Sequence, residues 1–278
     1  MSTNHATAFK AFCCKAVRAG WAVFITSLFL VGVSPGIARA EDDEDDKIRE
    51  RIQEFFVGEI VYPQDAGEVQ LTTGFSHWNE GSERFTAPLG FEYGITDRFQ
   101  VGAELPVTSR RTEDGVLEGI GRVELETLYN LVNRPDWGTA VSVGFGLGFP
   151  TARNRFEEEA YRYEPFFAFY QELGPSFLNV SAALELDDTI SNGQKDEAGG
   201  EIALGIGLEL GHFVPTLESV LELEEGGTTS VQLLPGFHWI LGGPLEGLEI
   251  ALGYSMGIDK DAPERGVLSL LTFKFGGD

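Results

Sequence analysis

Glu201-Ile202-Ala203-Leu204-Gly205-Ile206-Gly207-Leu208-Glu209-Leu210 alternates without a break between large aliphatic residues and small or acidic ones. Successive side chains of an extended strand point to opposite faces, so Ile202, Leu204, Ile206, Leu208 and Leu210 share one face. Glu201, Ala203, Gly205, Gly207 and Glu209 share the other. A helix would scatter the five aliphatic residues around its circumference. As a strand, the segment requires an apolar medium on one side and a narrow, polar space on the other.

The same period of two recurs outward in both directions. It sets Val123, Leu125 and Tyr129 against Arg122, Glu124 and Glu126, Leu178 to Leu186 against Asn179, Ser181, Glu185 and Asp187, and Leu248, Ile250, Leu252 and Tyr254 against Glu249, Ala251, Gly253 and Ser255. Twelve such segments follow one another, at about 68–78, 84–95, 99–108, 119–131, 137–151, 163–173, 176–187, 199–210, 213–223, 230–241, 248–258 and 266–275. Most exceed the length of soluble strands and match tilted membrane strands. Their connections alternate between tight (96–98, 132–136, 174–175, 211–212, 242–247) and long and polar (79–83, 109–118, 152–162, 188–198, 224–229, 259–265). An even strand number, short periplasmic turns and long outer loops define a bacterial outer-membrane barrel. The fold class expected is therefore all-β: an up-and-down antiparallel transmembrane β-barrel of about 12 strands. Trp78, Trp137, Phe149, Tyr163, Phe213, Trp239 and Phe273 fall near strand ends, where aromatic girdles belong. Pro88, Pro106, Pro150, Pro165, Pro215 and Pro235 oppose this reading, because a closed barrel has no edge strand. Pro88 and Pro235 lie farthest from strand ends, and local irregularity is expected there.

Residues 1–40 differ in kind. Lys10, Lys15 and Arg18 precede an apolar run over 21–33 and then Ala38-Arg39-Ala40, the pattern of a secretory signal peptide cleaved after Ala40. Both cysteines, Cys13 and Cys14, lie in this leader, so the mature chain has neither a disulfide framework nor a thiol site. The leader holds four of the 20 basic residues and none of the 44 acidic ones, leaving the remainder with a formal net charge of −28. Nucleic acid is thereby excluded as a partner. Residues 41–67 read as an acidic tail, Glu41 to Asp46, and a short amphipathic helix over 47–56 on which Ile48, Ile52, Phe55 and Phe56 share a face. Residues 68–278 form the barrel.

One stretch resembles a known family. Phe91-Glu92-Tyr93-Gly94-Ile95-Thr96-Asp97-Arg98-Phe99-Gln100-Val101-Gly102-Ala103-Glu104-Leu105-Pro106 is similar to a hairpin of the MetA-pathway of phenol degradation family, outer-membrane barrels often labelled transporters. Gly119 to Leu131 and Val143 to Thr151 look like its next hairpin, with Arg122 where the family has Asp and Ala152 where it has Gly. The resemblance covers about residues 85–151. It implies a barrel linked to uptake of small compounds, aromatic ones among them, and supplies no catalytic residues.

The inward-facing charges are the candidate functional residues: Glu92, Glu104, Glu124, Glu126, Glu185, Glu201, Glu209, Glu218, Glu222 and Glu249, with Arg122 as a rare counter-charge. In a wet lumen, rings of carboxylate favour cations; in a plugged one they pair with Arg122, Arg84 and Lys274 or bridge through water. No catalytic residue is assigned. His77, His212 and His238 are scattered, and Ser191-Asn192-Gly193 has no neighbouring histidine to act as base. Glu157-Glu158-Glu159, Asp187-Asp188 and Glu224-Glu225 lack the spacing of a calcium loop, and the Gly144 to Gly148 string lies inside a strand. No metal or cofactor is expected. The partners expected are outer-membrane lipid and small-molecule or ion solutes; the oligomeric state is open. The reading is an outer-membrane channel for passive movement of small solutes. Its alternatives are a closed barrel acting as a surface binding or structural protein and, at the level of fold, a soluble periplasmic barrel or sandwich.

Overall fold

The computed structural model describes residues 51–79, 83–112, 115–151, 160–189, 197–223, 229–258 and 265–277. The leader, the acidic tail to residue 50, Ser191-Asn192-Gly193, Glu157 to Glu159 and Glu224-Glu225 lie outside them. Thirteen strands occur: β1 Glu68–Asn79, β2 Glu83–Thr96, β3 Phe99–Thr112, β4 Gly115–Ile120, β5 Val123–Arg134, β6 Thr139–Phe149, β7 Ala160–Leu173, β8 Ser176–Thr189, β9 Glu197–Leu208, β10 Phe213–Leu223, β11 Thr229–Ile240, β12 Leu248–Gly257 and β13 Arg265–Gly276. Each pairs antiparallel with its sequence neighbours, except that β3 continues into β5, and β13 closes on β1 from Glu68↔Gly276 to Asn79↔Arg265. The result is a closed barrel of twelve strands, with β4 as one extra. Closure leaves no wall strand with an unpaired edge.

The alternation of the sequence becomes the two sides of this wall. On β9, Ile202, Leu204, Ile206 and Leu208 are exposed outward while Ala203 is 2 % exposed. Among the described residues, thirty-nine large apolar side chains are exposed and only sixteen apolar residues are buried, the inverse of a soluble fold. No described helix is long and apolar enough to cross a membrane.

The extra strand corrects the expected outer loop at 109–118 and strand at 119–131. β3 runs on to Thr112 and pairs there with β4, whereas its lower half pairs with β5 as far as Glu104↔Glu124. The change of partner falls at Pro106, which has no N–H to continue the ladder; its carbonyl instead accepts the Gly121 N–H at 2.8 Å. Pro88 and Pro235 interrupt the ladder as expected, and Pro165, expected near a strand end, does so inside β7. Ala87 and Pro88 have no register partner on β1, and Leu234 and Pro235 have none on β12. Of the aromatic residues assigned to girdles, Trp137, Tyr163, Phe213, Trp239 and Phe273 are exposed outward, but Trp78 points inward and packs against buried Ala203, Val220, Leu234 and Leu268.

The tight turns lie together on one rim. They use Gly138, Gly174, Gly211 and Gly247 at positive φ, a region costly for any residue bearing a Cβ. The expected amphipathic helix is absent over 51–56, where the backbone is bends and irregular chain; residues 47–50 lie outside those described. Its amide groups bond the barrel wall instead of one another.

Candidate functional site

Residues 51–67 form a strap that enters the barrel at the turn rim, rises to mid-height and returns to begin β1. At its start Arg51 pairs with Glu209 and, at 3.3 Å, with Glu172. The Gln53 N–H donates to Glu249 Oε2 at 3.0 Å. At the apex the N–H groups of Phe56, Val57 and Gly58 all donate to the carboxylate of Glu218, at 3.0, 3.0 and 3.3 Å. On the way down the Glu59 N–H donates to Ser181 Oγ and the Gln64 N–H to Gln100 Oε1. The Val61 carbonyl accepts from Ser142 and Asn130. Wall side chains thus supply the acceptors that a helix would have drawn from its own carbonyls, which is why no helix forms.

Apolar contacts fix the strap in the same place. Ile52, Phe55 and Val61 are buried with Ala140, Ala168, Tyr170, Phe177 and Val214 of the wall. Phe55 meets Phe177 edge-on with ring centroids 6.2 Å apart, and Phe56 lies 5.2 Å from the His238 ring. Glycines make the slots: a Cβ on Gly205 would come within 2.5 Å of the Phe55 ring, and one on Gly236 within 2.5 Å of Phe56. His238 is fully buried, with Nδ1 2.7 Å from Glu249 Oε1.

Beside the strap lies a cavity of about 250 Å³. Seven carboxylates line it: Glu54 and Glu59 of the strap, and Glu92, Glu104, Glu124, Glu126 and Glu164 of the wall, with Arg162 also present. The barrel register explains their convergence. Glu92 pairs with Gly102, Gly102 with Glu126, Glu126 with Gly146, and Gly146 with Glu164, so one row across β2, β3, β5, β6 and β7 reads Glu-Gly-Glu-Gly-Glu. The adjoining row reads Glu104, Glu124, Gly148, Arg162, Asp187. Here Glu104 and Glu124 face each other directly, a like-charge pairing that disfavours the sheet. Glycine between the acids gives their side chains room to lie along the wall. A Cβ at Gly148 would meet Arg122 at 2.4 Å.

The expected lumen residues fall into groups. Glu92, Glu104, Glu124 and Glu126 line the cavity. Glu218, Glu249 and Glu209 hold the strap. Glu185 pairs with Arg162 at 2.9 Å; Arg162 also forks onto both oxygens of Asp187, and buried Arg122 reaches Asp187 at 3.5 Å. Glu222 accepts from Ser230 and Gln232. Glu201 stands opposite Glu222 in the β9–β10 register. Glu54, Glu59, Arg162 and Glu164 escaped the sequence reading, and Asp187, placed there on the polar face, was not counted among the lumen residues. For Arg162 and Glu164 a signal was present, since they alternate with outward Tyr161 and Tyr163. Burial, reinforced mainly by Glu92 for Glu54 and by Glu164 for Glu59, pushes both strap carboxyls well above the usual carboxylate range. Among the described residues no group of three or more His, Cys, Asp or Glu is arranged to hold a metal ion.

Comparison with solved structures finds the same architecture. The chain is similar to the COG4313 outer membrane channel from Pseudomonas putida F1, with a TM-score of 0.57 and 12% identity over 77% of this chain and 98% of that one. It is similar also to the NanC porin, with a TM-score of 0.53 and 10% identity over 74% of this chain and 100% of that one. The fold is that of an outer-membrane β-barrel. No family model matches the chain and no curated protein matches it, so the likeness to the MetA-pathway family rests on residues 85–151. An outer-membrane β-barrel of this kind presents its outer apolar surface to lipid and keeps its polar chemistry inside. Here that chemistry is an acidic chamber beside a strap anchored on wall carboxylates.

Proposed function

We propose that the protein resides in the outer membrane, exported by a leader ending at Ala40, and acts as a channel for passive passage of small solutes with a preference for cations. The observation that carries this reading is the Glu92, Glu126, Glu164 row, joined by Glu104 and Glu124 around one cavity. A carboxylate-lined constriction lowers the energy of a passing cation and raises that of an anion. The aromatic compounds implied by the family resemblance are a narrower version, for which the Phe55, Phe56 and Phe166 rings at the cavity supply apolar contact. The test is single-channel conductance of the refolded mature protein in planar bilayers, with reversal potentials under a KCl gradient. Steady conductance with a cation-selective reversal potential, reduced in Glu124→Gln/Glu126→Gln, is expected; an anion-selective or unchanged potential overturns the selectivity.

The occupied lumen favours a second reading, a closed barrel serving as a surface binding or structural protein, because strap side chains fill the turn-side half. Silence from a folded barrel, both intact and with residues 51–64 deleted, would select it.

A further inference from the structure

Inserting the strap brings Glu54 and Glu59 against carboxylates from five wall strands. Glu54 faces Glu92 of β2, Glu104 of β3 and Glu126 of β5. Glu59 lines the cavity with Glu124 of β5, Glu164 of β7 and Glu54 itself, and Glu201 of β9 acts on it electrostatically. Arg162 is the basic residue lining the same cavity, and its guanidinium is already forked onto Asp187 and paired with Glu185 of β8. Glu54 accepts from Gln70 Nε2 at 2.7 Å and Thr72 Oγ1 at 3.0 Å, both neutral donors on β1. Arg51 at the strap's start is taken by Glu172 and Glu209. Placing two more ionised carboxylates in this enclosure is opposed by both repulsion and lost hydration.

We propose that the strap is a proton-linked plug: it seats with protons on the carboxyl groups it brings into the acidic cavity, and is released as those groups ionise. The inference deepens the channel reading, in which release of the plug widens the path, but strap movement is measurable without conduction.

The direction follows from linkage. A carboxyl whose pKa is higher with the strap seated than with it free binds more protons in the seated state, so seating weakens as pH rises above the free-carboxyl range. Glu54 and Glu59 are both raised in this way. Other groups around the strap act differently. Glu218 of β10 and Glu249 of β12 accept hydrogen bonds from strap N–H groups. His238 of β11 lies beside Phe56 and Glu249. Glu222 of β10 is held by Ser230 and Gln232, and Lys274 of β13 acts on Glu92. The comparison therefore belongs between about pH 6 and about pH 9, above the ordinary carboxylate range.

The test introduces Ile60→Cys, on the strap at the cavity, into the mature chain, which has no other cysteine. A polyethylene-glycol maleimide too large to enter a plugged barrel reports strap release, each rate being divided by that of the denatured protein at the same pH to remove the change in thiolate fraction. Relative labelling is expected to rise at least tenfold from about pH 6 to about pH 9, because an equilibrium that releases one proton on unseating shifts about tenfold for each pH unit over which the seated carboxyl stays protonated. Glu54→Gln/Glu59→Gln should abolish the rise and stay protected at the higher pH, while His238→Gln should retain it. Labelling independent of pH in the parent, an unaltered rise in Glu54→Gln/Glu59→Gln, or loss of the rise only in His238→Gln overturns the proposal. The channel reading fails separately, through silence of the barrel lacking residues 51–64.

Discussion

At the scale of single residues, glycine and glutamate determine what occupies the lumen. Gly205 leaves the space into which Phe55 inserts: an added Cβ would lie 2.5 Å from Cε1 and 3.0 Å from Cδ1 of that ring. The three nearest atoms all belong to the ring, so Gly205→Ala should strain the strap and spare the sheet. Overpacking of this size costs about 1–3 kcal/mol. Hydrogen exchange of residues 51–64, followed by mass spectrometry, should accelerate while exchange of β9 stays slow; equal acceleration in β9 would place the damage in the wall. Glu218 makes the complementary prediction. Three strap N–H groups converge on its carboxylate, and each hydrogen bond to a charged acceptor is worth roughly 1.5–3 kcal/mol. Glu218→Ala should therefore raise exchange at Phe56, Val57 and Gly58 by more than tenfold. Retained protection there would show that the apolar contacts of Phe55 and Phe56 suffice.

At the scale of elements, strap and wall obey different rules. The wall owes its integrity to a continuous ladder from β1 round to β13, whereas the strap bonds to side chains as far as 196 residues away. Deleting residues 51–64 should leave strand content by far-ultraviolet circular dichroism unchanged and raise conductance several-fold. A loss of strand signal would mean that the strap is part of the barrel's stability. This division also explains what could be read from the sequence. Alternation in segments such as 201–210 is local and marked every wall strand within a few residues, including the inward set Glu92, Glu104, Glu124 and Glu126. The break at Pro106 was harder, because an isolated proline does not say whether its strand ends, bulges or changes partner. The strap was least legible. Ile48, Ile52, Phe55 and Phe56 have helical spacing, and the donors and acceptors that override it belong to Glu218, Glu249, Ser142, Ser181 and Gln100 on distant strands. Glu54 and Glu59 entered the site only through that long-range arrangement.

At the scale of the whole molecule, an apolar band that meets hydrocarbon should show an energetic dependence on depth, and this can be measured position by position. Leu252 lies in the middle of β12 and is 41% exposed outward, whereas Leu210 is 56% exposed beside the turn at Gly211. Surface exposure alone would make Leu210 the more sensitive site. Membrane immersion reverses the order, because an arginine near the bilayer midplane costs about 2–4 kcal/mol and one near the interface about 0–1 kcal/mol. Leu252→Arg should therefore lower the unfolding free energy in lipid vesicles by a few kcal/mol, with Leu210→Arg close to the parent. In a soluble barrel or sandwich both outward positions would face water, and the two arginines would be tolerated alike. Extraction gives the same discrimination without substitutions: a band of this kind holds the protein in the envelope through a carbonate wash and releases it into detergent, while a water-facing surface would release it into carbonate.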